Sequence, residues 1–134
     1  PHSYSSAASD VYKRQTVAWI DWNLLLDERG GPNHVGNYCS APIIVDTNTQ
    51  ELLYQSSYYY LGHFSRFFGR DSRIVECENS IENLLSLSAI DKNGKVTTTI
   101  MNKEEKSIPF HFEVEGNTKS LSIPPRSIIT IIND

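Results

Sequence analysis

What this sequence lacks first is a concentration of positive charge. Twelve Lys and Arg stand against sixteen Asp and Glu, giving a formal net charge of -4 and a pI near 5.5. Proteins that grip phosphate backbones usually gather Lys and Arg on one face. The nearest basic cluster, Lys103 and Lys106, is interrupted by Glu104 and Glu105. No nucleic-acid partner is expected. Long hydrophobic runs are also missing, because no stretch approaches the roughly 20 apolar residues that cross a bilayer. Nor does a charged-then-apolar start suggest a signal peptide, so no membrane span is expected. Cysteine is scarce: Cys39 and Cys77 stand far apart without CxxC spacing, and they read as free thiols. The four histidines, His2, His34, His63 and His111, show neither HExxH nor i,i+4 pairing. Neither a metal site nor a cofactor is expected.

What remains is a chain of 134 residues, 39% hydrophobic and 10% aromatic, enough for one modest core or a small domain beside part of another. Residues 1–15 are rich in Ser and Ala and have no apolar period. They join abruptly to the apolar segment TVAWIDW, and the stretch SSAASDVYKRQ resembles translated adaptor sequence at the broken end of a metagenomic gene. They read as a non-native leader. Residues 16–22 then predict a buried strand. The turn formers Gly30-Gly31-Pro32-Asn33 predict a long loop, and Pro42 to Asp46 an extended segment beneath it. From Ser56 to Phe68 the spacing of Leu61, Phe64 and Phe68 predicts a helix, with Ser56 or Ser57 as its cap and Gly69 as its stop. Gly62 inside that helix predicts a close approach by another backbone.

After Gly69 the period changes from helical to two. Ile108, Phe110, Phe112 and Val114 alternate with Pro109, His111, Glu113 and Glu115, and Leu85, Leu87 and Ala89 alternate with Ser86 and Ser88. Turns are expected at Asp91-Lys92-Asn93-Gly94 and at Gly116-Asn117. With segments at 73–78, 96–100, 119–123 and 127–132, about six short strands predict an antiparallel β-sandwich over residues 70–134. The segment Ile128 to Ile132 is apolar on both faces, so it should be central or covered.

Several ordered motifs along residues 16–134 resemble the glucosylceramidase-type family 30 glycoside hydrolases. They are Trp19-Ile20-Asp21-Trp22-Asn23, Gly30-Gly31-Pro32-Asn33, Asn37-Tyr38, Pro42-Ile43-Ile44-Val45-Asp46, and Tyr59 to Phe67. The resemblance implies a mixed fold: the last β/α unit of a (β/α)8 TIM barrel at residues 16–69, followed by the sandwich. It also implies hydrolysis of β-glycosides with retention of configuration. Retention requires two carboxyl groups about 5 Å apart. By the resemblance these lie on earlier barrel strands, so the chain is expected to hold no catalytic residue and to need the remainder of the barrel.

Barrel active sites form at the C-terminal ends of the strands. The resemblance places Trp22, Asn37 and Tyr38 there as substrate-binding residues: an indole to stack on a pyranose, an asparagine facing the sugar and a neighbouring aromatic wall. Packing is the plainer role for Trp22, and turn formation the plainer role for Asn37. Trp19 reads as structural. His34 stands where the family commonly has tryptophan. Asp27 and Glu28 invite reading as an acid/base pair, but adjacent loop residues point apart, and Asp21 by the resemblance orients its neighbours.

The expected partner is a β-glycoside or glycan bound by the longer parent: glucosylceramide, a β-1,6-glucan, a xyloside or a fucoside. Asn-x-Ser/Thr sequons are absent, which fits a bacterial parent, secreted or periplasmic. The alternative is a non-catalytic β-sandwich that binds carbohydrate or is purely structural. Exposed aromatics on a strand face would favour carbohydrate binding, yet Phe110 and Phe112 are the only aromatics after Phe68, and the alternation buries them.

Overall fold

The structure, a computed structural model, describes residues 19–133, so the leader assigned to residues 1–15 lies outside the described residues. The chain forms two compact units, divided between Gly62 and His63.

In the first unit, β1 (Leu25–Asp27) pairs in parallel with β2 (Ile43–Asp46), and β2 pairs antiparallel with β3 (Glu51–Tyr54). Parallel neighbours require a crossover, and here it is the long loop predicted from Gly30-Gly31-Pro32-Asn33. Hydrogen bonds from Ile43 to the Leu24 carbonyl (3.0 Å) and from Glu28 to the Val45 carbonyl (3.1 Å) extend the short ladder at both ends. The β2–β3 turn is closed by Asp46, whose Oδ1 accepts from the amides of Asn48 (2.8 Å) and Thr49 (3.2 Å). Leu26 and Ala41 are buried, whereas every residue of β3 is exposed.

The expected buried strand at 16–22 is not observed. Residues 16–18 lie outside the described residues, while Trp19 to Trp22 form no strand and are exposed. A strand needs a partner for its amides, and none of the described strands pairs with this segment. The amide of Trp22 instead donates to the neighbouring Asp21 carboxylate at 2.8 Å.

Helix α1 (Ser56–Phe67) forms where the spacing predicted. Its cap position falls on Gln55, one residue before the expected serines, and Ser57 is buried inside the first turn. Its apolar stripe is loosely packed, and the expectation for Gly62 changes. The Leu61, Phe64 and Phe68 stripe is only half-buried, with the Phe64 and Phe68 rings 5.6 Å apart. A side chain added at Gly62 would meet nothing within 4 Å, so among the described residues no backbone approaches there.

The second unit holds the six strands expected from the period-two pattern. A four-stranded antiparallel sheet runs in the order β4 (Arg73–Val75), β5 (Leu84–Ile90), β6 (Val96–Asn102), β9 (Ser127–Asn133). Opposite it, β7 (Ile108–Val114) and β8 (Asn117–Ile123) form a two-stranded sheet. Glu115 (φ 50°) and Gly116 (φ 77°) join these two, a pair of left-handed residues that matches the strand twist. The turn thus sits one residue earlier than Gly116-Asn117.

Leu84, Ile100, Ile108, Phe110 and Ile123 form the core between the sheets. Ile123 is fully buried, and such a side chain contributes about 1.5–3 kcal/mol. Two strands do not cover four, and a cavity of about 890 Å³ opens beside β7, lined by Ser86, Ser88, Thr98 and Phe112 among others. Leu87, Thr99 and Thr130 are cross-strand neighbours on the other face. There His63 of α1 meets Thr130, with Nδ1 2.8 Å from Oγ1. Hence β9 is an edge strand rather than a central one, and its apolar residues serve both faces of the sheet.

Candidate functional site

Trp22 lies on the segment entering β1, and its side chain is 76% exposed. Asn37 and Tyr38 lie together on the loop leaving β1, with Asn37 exposed and Tyr38 71% exposed. Among the described residues no hydrogen bond or ring contact joins Trp22 to either of them.

The loop is ordered by its own backbone. Asn33 Oδ1 accepts from the Gly36 amide at 2.8 Å, and the Tyr38 amide donates to the Gly36 carbonyl at 3.1 Å. Gly30 has a φ of 78° and is pressed against the following strand of loop: a Cβ there would stand 2.7 Å from the Cys39 carbonyl oxygen and 3.2 Å from the Tyr38 Cα. Only glycine meets both conditions.

The nearby carboxylates are occupied in holding turns. Glu28 accepts from the Thr47 amide (2.9 Å) and hydroxyl (2.8 Å), bonds that hold its carboxyl below the usual glutamate range. Asp46 is likewise lowered, by the Asn48 and Thr49 amides. Asp27 accepts from the amides of Arg29 and Gly31. A general acid must hold a proton at working pH, so the lowered carboxyls of Glu28 and Asp46 are unsuited to that part. Among the described residues no three of His, Cys, Asp and Glu gather closely enough to hold a metal ion.

Comparison with known proteins decides the family. The model of the glycosyl hydrolase family 30 TIM-barrel domain matches residues 2–68, a span that includes the presumed leader, and that of the family's β-sandwich domain matches residues 71–131. The chain belongs to glycosyl hydrolase family 30. A Caenorhabditis elegans protein named for glucosylceramidase activity is 38% identical over 97% of this chain and 26% of its own length. The lysosomal acid glucosylceramidase of Mus musculus is 31% identical over 81% of the chain and 21% of its own length. Among solved structures, SrfJ of Salmonella typhimurium superposes with a TM-score of 0.78 at 29% identity, over 84% of this chain and 25% of that one. The chain thus spans about a quarter of the length of these proteins.

Sequence reasoning missed β1 and the bonds that Asp27 makes. The signal for β1 was weak, since Leu24-Leu25-Leu26 has no alternation and the strand is three residues long. The Asp27 turn had a signal, an Asp four residues ahead of Gly31, which was read only as loop composition.

Proposed function

We propose that this chain supplies one wall of the sugar site in a retaining β-glycoside hydrolase, and that both catalytic carboxylates lie in residues outside it. The observation that carries this reading is the exposure of Trp22, Asn37 and Tyr38 around β1, within the span matched by the barrel domain. An indole face can stack on the apolar face of a pyranose while an asparagine amide bonds its hydroxyls. Both are needed to orient a ring whose transition state approaches an oxocarbenium ion. The carboxylates on the same loop are engaged in turns, which supports placing the acid/base and nucleophile elsewhere.

A β-glucoside such as the lipid named for the mouse relative is the favoured substrate class. A secreted or periplasmic setting would suit it. Residues 70–134 take a structural part in this reading, because Phe110 is buried and Phe112 half-buried, leaving no exposed aromatic platform on that sandwich.

The isolated chain is expected to show no turnover of nitrophenyl β-glucoside, β-xyloside or β-fucoside. Turnover that disappears on mutating a carboxylate within residues 19–133 would overturn the proposal. In the longer enzyme, Trp22→Ala is expected to depress turnover with little change in unfolding midpoint.

A further inference from the structure

Asp27 is the last residue of β1, held in register opposite Val45 of the parallel neighbour. From that fixed point it makes a closed turn. One oxygen, Oδ1, accepts from the Arg29 amide at 2.9 Å and from the Gly31 amide at 2.7 Å. The backbone closes the same turn: the Asp27 amide donates to the Gly31 carbonyl at 2.6 Å, and the Gly30 amide donates to the Asp27 carbonyl at 3.0 Å. Gly31 leaves room for the carboxylate, because a Cβ there would lie 3.2 Å from Oδ2 and 3.4 Å from Oδ1. The product is a buried Gly30-Gly31 corner whose Gly30 abuts the backbone of Tyr38 and Cys39.

We infer that Asp27 is the positioning residue for the Asn37–Tyr38 wall, acting through the Gly30-Gly31 corner and not touching the sugar. The inference rests on the proposed sugar-site reading for its functional meaning, and on the turn geometry alone for its mechanical part. Strand β1 supplies the anchor, Oδ1 sets the angle of the corner, and the corner is the surface against which the returning loop lies. Charged acceptors of amide protons form the stronger hydrogen bonds, and two here converge on one atom. Since that atom acts only as an acceptor, the amide oxygen of an asparagine can replace it, whereas a catalytic carboxylate could not be so replaced.

The test compares backbone amide spectra of the 134-residue chain with those of Asp27→Asn, Asp27→Ala and Gly31→Ala, each with and without methyl β-D-glucopyranoside at high millimolar concentration. Asp27→Ala is expected to shift or broaden the Asn37, Tyr38 and Cys39 signals while those of β5 and β6 stay in place. Asp27→Asn should leave all of them within a line width of the parent chain. Gly31→Ala crowds the carboxylate by a few tenths of an ångström without removing it, and it should move the same signals in the same direction, by less than Asp27→Ala does, which keeps the test open if Asp27→Ala fails to fold. Unmoved Asn37–Cys39 signals in the alanine variants would overturn the inference, as would an asparagine variant as disturbed as alanine. The glucoside arm is separate. Perturbation of the Trp22 indole and Asn37 amide in the parent chain, weakened in Asp27→Ala and kept in Asp27→Asn, supports both readings. A longer enzyme whose turnover is unchanged by Trp22→Ala would sink the sugar-site reading, while the amide comparison on the 134-residue chain still decides the positioning one.

Discussion

Ser88 of β5 and Thr98 of β6 face each other across the ladder with their hydroxyls 2.8 Å apart, both residues buried. Each hydroxyl is the other's partner, and among the described residues no other hydrogen bond reaches either side chain. Removing one partner leaves the second desolvated and unsatisfied, which costs more than the bond itself contributes. Ser88→Ala and Thr98→Val are each expected to destabilise the chain by about 1–2 kcal/mol. The double variant should cost less than the sum. Urea unfolding of the four proteins in the cycle measures this, and strict additivity would count against a paired role.

Asn102 should prove more sensitive. It is 1% exposed, donates from Nδ2 to the carbonyls of Lys106 (2.8 Å) and Pro124 (2.7 Å), and accepts at Oδ1 from the Glu104 amide (2.9 Å). Still paired with Leu84 and Ser127 in the ladder, it ties down with one side chain the connections that follow β6 and β8. Asn102→Ala is expected to cost about 3 kcal/mol, and Asn102→Asp no less, since a carboxylate would face two carbonyl oxygens. Shifts in the urea midpoint at constant slope would report it.

The two units should differ in protection against hydrogen exchange. Strands β5 and β6 carry long ladders with mostly buried residues, whereas β1 to β3 are three or four residues long and β3 is exposed throughout. Amides of β6 are expected to exchange at the rate of global unfolding, and those of Trp19 to Trp22 within the dead time of the measurement. Slow exchange at Trp19–Trp22 with fast exchange in β7 would contradict this.

Acid should weaken the fold in two steps. Burial lowers the pKa of His63 from its ordinary 6.5, so the unfolded chain binds this proton more readily than the folded one. Stability due to a neutral His63 is therefore complete above about pH 6.5 and declines as pH falls through that value toward the folded pKa. Asp46 and Asp91, lowered by amide hydrogen bonds, add a second loss as pH falls below the ordinary aspartate value of 3.8. Thermal midpoints of the chain and of His63→Gln between pH 8 and pH 3, a range of about 5 units set by these pKa values, should diverge only through the upper step.

The sandwich was legible because its strands are half-buried and the burial alternates: Phe110 goes in where His111 goes out. The serines of β5 were less readable. Ser86 and Ser88 are the polar half of the alternation, yet they line the inter-sheet cavity on the face that carries Leu84, while Leu87 and Ala89 on the other face are buried as well. No local pattern announces that both sides of a strand will be covered. β9 illustrates the converse: its isoleucines suggested a central or covered strand, and the strand order puts it at the edge while Ile129 and Ile131 pack on the core and Thr130 meets His63 on the other face. Near the site, the motif identified the loop, but the Gly30 contact with Cys39 is tertiary and has no periodic trace.

The outer edge of β3 has no strand beside it among the described residues, and Leu52, Leu53 and Tyr54 are exposed around it. Open backbone groups flanked by apolar side chains recruit further strands. For anyone handling the 134-residue chain, this makes concentration a variable of the preparation: dilute samples should stay monomeric, and concentrated ones should thicken into β-rich assemblies. A charged substitution at Leu52 is the natural first remedy.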